Sequence, residues 1–451
     1  MKKFLPILLI LLLTGFCYSQ WVTVGTVNAV STYPSVSVVS PTLVYVAGGA
    51  SGAPSVWRST NGGLNFTQLP NNGLTLEPYC VWGINENVIF VGDGGAAGGA
   101  GGNAKLYKTT NAGVNWTTVL QTGGTAGFIN AVVFSRTNPN FGVAESDPPT
   151  GTTYWLAKTH DGGNNWYVTT SPLSGAASSQ NSVIVIDSFF YGFGLNAMPY
   201  RAGLTTNAGL NWTYAALTGA GGTTGFVSGM AFSSNKLYGI AAGNGTATTI
   251  ARTTNGGVSW FSQTIPSTVT AGYGTMKWVP GTSICYVLVS STTATQFFKS
   301  TDNGATWTTI TFPTATTVNH FDLYYSPSTG IVTAYACKGS TTTGTVYKYT
   351  ETVTGIIGSN NEIPSEFALK QNYPNPFNPT TTIEYSISKS AFVTLKVYDI
   401  LGKEITTLVA EQKTAGNYNV TFDASNYTTG IYYYTLTADN FRETKKMMLT
   451  K

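Results

Sequence analysis

An eight-residue phrase recurs six times along this chain of 451 residues. It reads STNGGLNF (59–66), TTNAGVNW (109–116), THDGGNNW (159–166), TTNAGLNW (205–212), TTNGGVSW (253–260) and STDNGATW (300–307), with successive starts 50, 50, 46, 48 and 47 residues apart. A fixed period of that size marks a repeat architecture, in which each unit buries a face against the next. Each copy has the form Ser/Thr-x-Asn/Asp-x-Gly-x-x-aromatic and follows a short apolar/polar alternation such as SVWR, LYK, WLAK or QFFK. The alternation fits a half-buried strand. An Asn or Asp side chain folds back onto nearby backbone N–H groups, and a Gly two positions on tolerates positive φ. The phrase is therefore expected to close a tight turn between antiparallel strands. Its final ring (Phe66, Trp116, Trp166, Trp212, Trp260, Trp307) is expected to wedge against the neighbouring repeat.

The phrase resembles the Asp-box, or BNR repeat, of sialidase-like β-propellers, with Asn at four of the six acidic positions (Asn61, Asn111, Asn207, Asn255). The resemblance implies that these turns lie on the face opposite the ligand site. Seven inner-strand candidates accompany the six phrases: 34–40, 77–85, 128–135, 181–187, 225–233, 272–280 and 318–326. TVYKYT (345–350) looks like a strand entering a seventh phrase that never comes. WVTVG (21–25) looks like the strand that normally leaves one. The N-terminal strand is thus expected to complete the last blade and close the ring, removing exposed sheet edges. The expected fold class is all-β, a seven-bladed β-propeller followed by a small immunoglobulin-like β-sandwich.

The first residues, MKKFLPILLILLLTGFCYSQ, have a basic start, an apolar run and a small-residue site after Ser19, as a secretory signal peptide does. A lipoprotein reading at Cys17 would place bulky Phe16 just before the cysteine. The expected organisation is a signal peptide at 1–19, propeller at 20–353, linker at 354–366 and sandwich at 367–451. No other stretch has the ~18 apolar residues a spanning helix needs. Cys80, Cys285 and Cys337 are odd in number and lie in apolar strand patterns, so they are expected as buried core residues rather than a disulfide framework. From Gln20 to Gly358 the chain carries 12 Lys/Arg against 10 Asp/Glu, with no basic stripe of the kind nucleic acid requires.

After residue 366 come FALKQNYPNPFNPTTTIEYSI, FVTLKVYDILGKEITTLV, GNYNVTFD, GIYYYTLTA and FRETKKMMLT, with strand-like alternation and regular turn signals. Pro374, Pro376 and Pro379 cannot donate to a sheet and are expected to shape an irregular lead-in to the first long strand. The segment resembles the type A C-terminal sorting domain of the bacterial type IX secretion system, known from Bacteroidetes and relatives. The residues that carry the resemblance are Asn372-Tyr373-Pro374-Asn375-Pro376-Phe377-Asn378-Pro379, Val397 to Lys403 around Gly402, Gly416-Asn417-Tyr418, Gly430 to Tyr434, and Lys445-Lys446. The resemblance implies Sec export, passage across the outer membrane through the type IX machinery, and release or surface attachment, often with removal of the domain. A plain adhesion module is the alternative.

The propeller holds only Arg58, Arg136, Arg201 and Arg252, and no Phe/Tyr-Arg-Ile-Pro motif, so the arginine cluster of a sialidase is absent. Arg58 and Arg252 stand where other repeats carry Lys and read as repeat residues. Other glycosidases need two facing carboxylates. Between second and third strands, on the face away from the turns, the sequence offers Asp93, Glu145 and Asp147. Glu145 and Asp147 share one face of an extended segment, which makes them a candidate carbohydrate or cation contact. The bland alternative is a solvated loop tip. Asp187 and Asp322 lie near inner strands. Tyr154, Trp155, Tyr200, Arg201 and Trp278 are further candidates for ligand contact, with core packing as the alternative for the rings. His160 and His320 lack ligand spacing, so no metal or cofactor is expected. The Gly-rich run 92–102 lacks the Lys-Ser/Thr of a phosphate loop. The expected function is a monomeric, non-catalytic module of the cell surface or medium that binds a glycan or protein. A polysaccharide hydrolase or lyase and a structural adhesion protein are the alternatives.

Overall fold

The computed structural model of the chain describes residues 20–28, 30–31, 33–50, 53–94, 102–150, 153–174, 182–195, 200–218, 227–243, 248–269, 273–291, 294–313, 318, 320–353, 366–389, 391–413 and 416–450. The expected signal peptide, nearly all of the expected linker and the centre of the Gly-rich run lie outside the described residues. The chain divides into two compact units, Met1–Gly355 and Ile356–Lys451.

The first unit is a ring of seven four-stranded antiparallel sheets. Six of them run inner to outer strand in chain order, beginning at Ser35–Val38, Pro78–Gly83, Ile129–Phe134, Ile184–Val185, Val227–Phe232 and Tyr273–Trp278. The seventh takes His320–Ser326, Ile331–Lys338 and Thr343–Thr352 from the end of the unit and its outer strand, Val22–Asn28, from the start. Val22 pairs with Lys348 and Asn28 with Thr343, so the ring closes as the leftover strand in the sequence implies. Inner strands of successive blades touch one another all the way round.

All six octapeptides form the same turn. In the second blade Thr109 Oγ1 donates to Asn111 Oδ1 at 2.9 Å and accepts the Gly113 N–H at 3.0 Å, while Asn111 Oδ1 accepts the Asn115 N–H at 3.0 Å. With Asp at this position the geometry is unchanged: Asp161 Oδ1 accepts the Asn165 N–H at 2.9 Å. The turn uses the side chain as an acceptor, which explains why Asn and Asp interchange. The closing ring wedges between blades. Trp116 is buried among residues of the first blade and donates Nε1–H to Pro70 O at 2.9 Å. Trp166 meets Phe90 and Phe134 edge-on.

Inner strands leave unpaired N–H groups facing the central channel, an edge that must be satisfied. Side chains of the preceding blade do so at three seams. Ser35 and Ser37 accept from Val81 N–H (3.2 Å) and Gly83 N–H (3.0 Å). His320 Nδ1 and Asp322 Oδ2 accept from Val36 and Val38 N–H, each at 2.8 Å. Ser228 Oγ accepts from Gly274 N–H at 2.9 Å. Cys80, Cys285 and Cys337 are buried and free.

The second unit is a sandwich of a three-stranded sheet (Ala368–Leu369, Thr380–Ile387, Gly416–Asp423) and a four-stranded sheet (Glu404–Lys413, Ala391–Tyr398, Gly430–Ala438, Phe441–Leu449). The alternation read in the sequence puts Ile383, Val393, Leu395, Val397, Tyr434, Leu436 and Met447 into one core. Among the described residues, no helix is long and apolar enough to cross a membrane.

Candidate functional site

On the ring face opposite the octapeptide turns, three inner strands carry an extra residue at the same place. The register slips between Pro78 and Cys80, between Ile129 and Ala131, and between Val227 and Gly229. The bulged residues are Tyr79, Asn130 and Ser228. A bulge re-aims a side chain that regular pleating would send between sheets. Ser228 is spent on the neighbouring blade, whereas Tyr79 and Asn130 gather other groups at the mouth of the channel.

Asn130 Nδ2 donates to Asp147 Oδ1 at 2.5 Å and lies 3.5 Å from Glu145 Oε1. The two carboxylates thus share a face, as the period-two spacing implies. Neither is a solvated loop tip: Glu145 is fully buried within the strand Gly142–Ser146 and Asp147 is half-buried just beyond it. Burial pushes the Asp147 carboxyl up to about 6, against the Asn130 hydrogen bond that favours its charged form. Tyr79 meets Phe128 edge-on with ring centroids 4.4 Å apart, and both rings are half-buried. Burial raises the Tyr79 hydroxyl, and the charges of Asp147 and Glu77 add to the rise, which puts both carboxylates near that phenol. Burial also raises Glu77, partly offset by a hydrogen bond from Ser31. Ser31 itself holds a left-handed backbone at φ 60°, and Tyr33 is exposed beside it. Asp93 is fully buried at the end of its strand, where Oδ1 accepts the Lys105 N–H at 2.9 Å.

The mouth is therefore a patch of two edge-on rings, an amide and carboxylates, built at the second and third blades. Of the residues singled out in the sequence it contains Glu145 and Asp147. The other candidates are placed elsewhere. Tyr154 is interior and stacks on Phe193, centroids 4.0 Å apart, which removes it from ligand contact. Trp155 is buried with Cys80 and Ile129, under the bulged residues. Tyr200 is core to the fourth blade, and Arg201 is exposed on its third strand. Trp278 is buried at the other end of its strand, donating Nε1–H to Thr282 O at 2.8 Å. Tyr79, Asn130 and Phe128 were not read from the sequence, because a bulge leaves no mark in a pattern of small and apolar residues. Among the described residues, no group of three or more His, Cys, Asp or Glu is placed to hold a metal.

In the second unit, the proline-rich motif lies along one edge of the four-stranded sheet. Asn375 Oδ1 accepts the Met448 N–H at 2.8 Å, Phe377 N–H donates to Met448 O at 2.9 Å, and Thr450 N–H returns to Phe377 O at 2.9 Å. Gln371 adds a bond to Lys446 O at 2.8 Å. Phe377 is buried in the core, and Pro379 O accepts the Ala424 N–H at 2.9 Å. The peptides before Pro374 and Pro376 are cis, and Asn378 is exposed. The motif is thus an edge guard for the last strand, doing for a sandwich what closure does for the ring. Gly402 ends a turn at φ 79° in which Asp399 Oδ1 accepts from Leu401 and Lys403 N–H, leaving Ile400 and Leu401 exposed. Gly416 and Gly430 begin strands, pairing with Ile387 and Leu449. Lys445 pairs with Glu443 at 2.8 Å, and Lys446 is exposed.

Residues 371–450 match the family described as the secretion system C-terminal sorting domain. The C-terminal unit is a type IX sorting tail, which points to a secreted or cell-surface protein that engages that machinery. No curated protein matches the chain. Among solved structures it is similar to YCF48 from Cyanidioschyzon merolae, at 14% identity over 73% of this chain and 98% of that one, with a TM-score of 0.49. It is also similar to PorZ, described as an essential bacterial surface component of the type IX secretion system of Porphyromonas gingivalis. There the identity is 12% over 92% of this chain, the TM-score is 0.46, and this chain spans 59% of PorZ. A third is YCF48 bound to D1 peptide, at 13% identity over 91% and 96% of the two chains, with a TM-score of 0.39. At these identities none of them carries a ligand or partner over to this chain.

Proposed function

We propose that the chain is an export cargo whose propeller binds a glycan or a protein segment, without catalysis, at the mouth formed by Tyr79, Phe128, Asn130 and Asp147. The observation that supports this reading is the pair of bulges at Tyr79 and Asn130. They bring the Tyr79 and Phe128 rings and the Asn130–Asp147 pair together at the start of the second and third inner strands, the mixed apolar and polar grouping that ligand sites use. The sorting tail supplies delivery: Sec export, then type IX passage in a Bacteroidetes-like cell, ending in release or surface attachment. The Asp-box likeness of the turns fits a scaffold role for the opposite face.

One observation favours a second reading. Asp147 and Glu77 both have raised carboxyls near one phenol, and a raised carboxyl is what a general acid in polysaccharide hydrolysis needs. A panel of polysaccharides and peptides, assayed for binding and for reducing-sugar release, separates the two. We expect binding without release, lost in Tyr79→Ala and weakened in Asp147→Asn. Sugar release that disappears in Asp147→Asn would replace the binding reading with the hydrolase. Absence of both activities would leave the structural adhesion reading. Because Asp147 ionises near pH 6, a ligand that donates hydrogen bonds to it should bind more tightly at pH 7.5 than at pH 5.

A further inference from the structure

We propose that the central channel holds a second site, separate from the mouth, which takes one anionic group (a carboxylate, sulfate or phosphate) between Arg136 and Lys277. Residues of five blades converge there. Arg136 follows the third inner strand, Lys277 lies in the sixth and Asp322 in the seventh. Arg136 Nη2 donates to Asp322 Oδ2 at 2.7 Å and Nη1 donates to Val38 O, in the first blade, at 2.9 Å. The guanidinium lies 5.0 Å over the ring of Trp82, in the second blade. Lys277 Nζ approaches Asp322 Oδ1 to 3.5 Å, a longer contact than the one Arg136 makes to the same carboxylate.

The charges do not balance. Two cations share one carboxylate, and His320, the remaining titratable group of the cluster, is neutral. Burial and the Lys277 charge hold its imidazole down at about 3, and its Nδ1 is already an acceptor for the Val36 N–H. With Lys277 protonated, one positive charge is left over in a confined channel, where unpaired charge is costly, and burial accordingly lowers the Lys277 ammonium against the pull of Asp322. The layering gives that charge a direction. The Asp322 side chain is 4% exposed, while those of Arg136 and Lys277 are 34% and 27% exposed. The carboxylate sits behind and the cations in front, so an entering group meets positive charge first. Arg136 has five N–H donors, of which two are engaged, and the Lys277 ammonium has three. A planar or tetrahedral oxyanion uses donors of both kinds.

The test is calorimetric titration of the full chain with inorganic sulfate, inorganic phosphate and acetate, each against chloride at matched ionic strength. Saturable one-to-one binding of at least one oxyanion is expected. Lys277→Gln, which leaves the Arg136–Asp322 bond in place, should weaken it about tenfold or more, and Lys277→Arg should retain it. Tyr79→Ala should leave it unchanged, so failure of the mouth and failure of this site are told apart. The idea is overturned if wild type binds none of the three above chloride, or if Lys277→Gln binds as wild type does. Should the variants be unstable, the wild-type titration decides alone.

Discussion

Asn111 shows how little a single residue of the repeat is asked to do. Its Oδ1 must accept the Asn115 N–H and meet the Thr109 hydroxyl, and nothing in that geometry requires a charge. Asn111→Asp should therefore be nearly neutral to thermal stability, whereas Asn111→Leu should cost roughly 1–2 kcal/mol through the N–H left without its partner. His320 is asked for more. It is held neutral in the fold, with a pKa of about 3 against an ordinary 6.5, by burial and by Lys277, while Asp322 pulls the other way. A depressed folded pKa means the unfolded chain binds the extra proton. This contribution is complete above pH 6.5 and is lost as pH falls toward 3, at a cost on the order of a few kcal/mol. Asp322 adds a second loss at lower pH. Burial alone would raise its carboxyl, but Arg136, Lys277 and the Val38 N–H outweigh that and hold it at about 2. His320→Asn keeps an acceptor for the Val36 N–H and removes the titration. Its melting temperature should fall less than that of wild type between pH 7 and pH 4.5; an equal fall would show that the acid sensitivity lies elsewhere.

At the scale of the element, a cation on the third strand staples four of the blades to the next. Lys108 Nζ donates to Gly162 O at 2.9 Å, Lys158 Nζ to Ala208 O at 3.0 Å, Arg252 Nε to Asn303 O at 2.8 Å, and Lys348 Nζ to Gly62 O at 3.5 Å across the closing seam. The exceptions obey the same need. In the fourth blade the position is Leu204, which packs on the next turn so tightly that a Cβ on Gly257 would lie 2.2 Å from its Cδ1. The seventh blade has no octapeptide to receive Lys299. Glu351 takes that role, ion-paired to Lys299 and accepting the Tyr286 and Tyr349 hydroxyls at 2.8 and 2.6 Å. Burial lowers the Lys158 ammonium, whose partner is the uncharged Ala208 carbonyl. Lys158→Met should cost about 1 kcal/mol in a denaturant midpoint, because Ala208 O loses its donor; a neutral result would make the staple ornamental. The sequence shows these cations as repeat residues on a surface, since periodicity reveals where a residue sits in its own unit and not what it reaches in the next. The same limit governs the mouth. Glu145 and Asp147 could be found because strand periodicity puts them on one face. Tyr79 and Asn130 could not, because a bulge is a mismatch between two strands and neither strand alone records it. Tyr154 and Trp278 illustrate the converse: in a ring with a seam on both sides of every sheet, a large aromatic is consumed by packing more readily than by a ligand.

For the whole molecule, closure by the N-terminal strand ties the stability of the ring to its first described residues. Trp21, just ahead of Val22–Asn28, is buried with its ring 5.1 Å from Phe297, 5.2 Å from Phe312 and 5.6 Å from Tyr349. One side chain thus joins the start of the unit to its sixth and seventh blades. Removing it opens a cavity between the sixth and seventh blades, beside the strand whose pairing closes the ring, and Trp21→Ala should cost roughly 3–5 kcal/mol. Trp21 Nε1 is buried without a hydrogen-bond partner among the described residues, so Trp21→Phe gives up no such bond and should cost well under half as much. The C-terminal unit has its own core and belongs to a separate compact division of the chain. Scanning calorimetry of the exported chain should then show two transitions, of which Trp21→Ala lowers only the larger. Cleavage between the two units should leave the smaller transition intact. A single transition that moves as one in Trp21→Ala would mean that the two units fold as a single cooperative body, and that cleavage of the tail would destabilise the propeller it delivers.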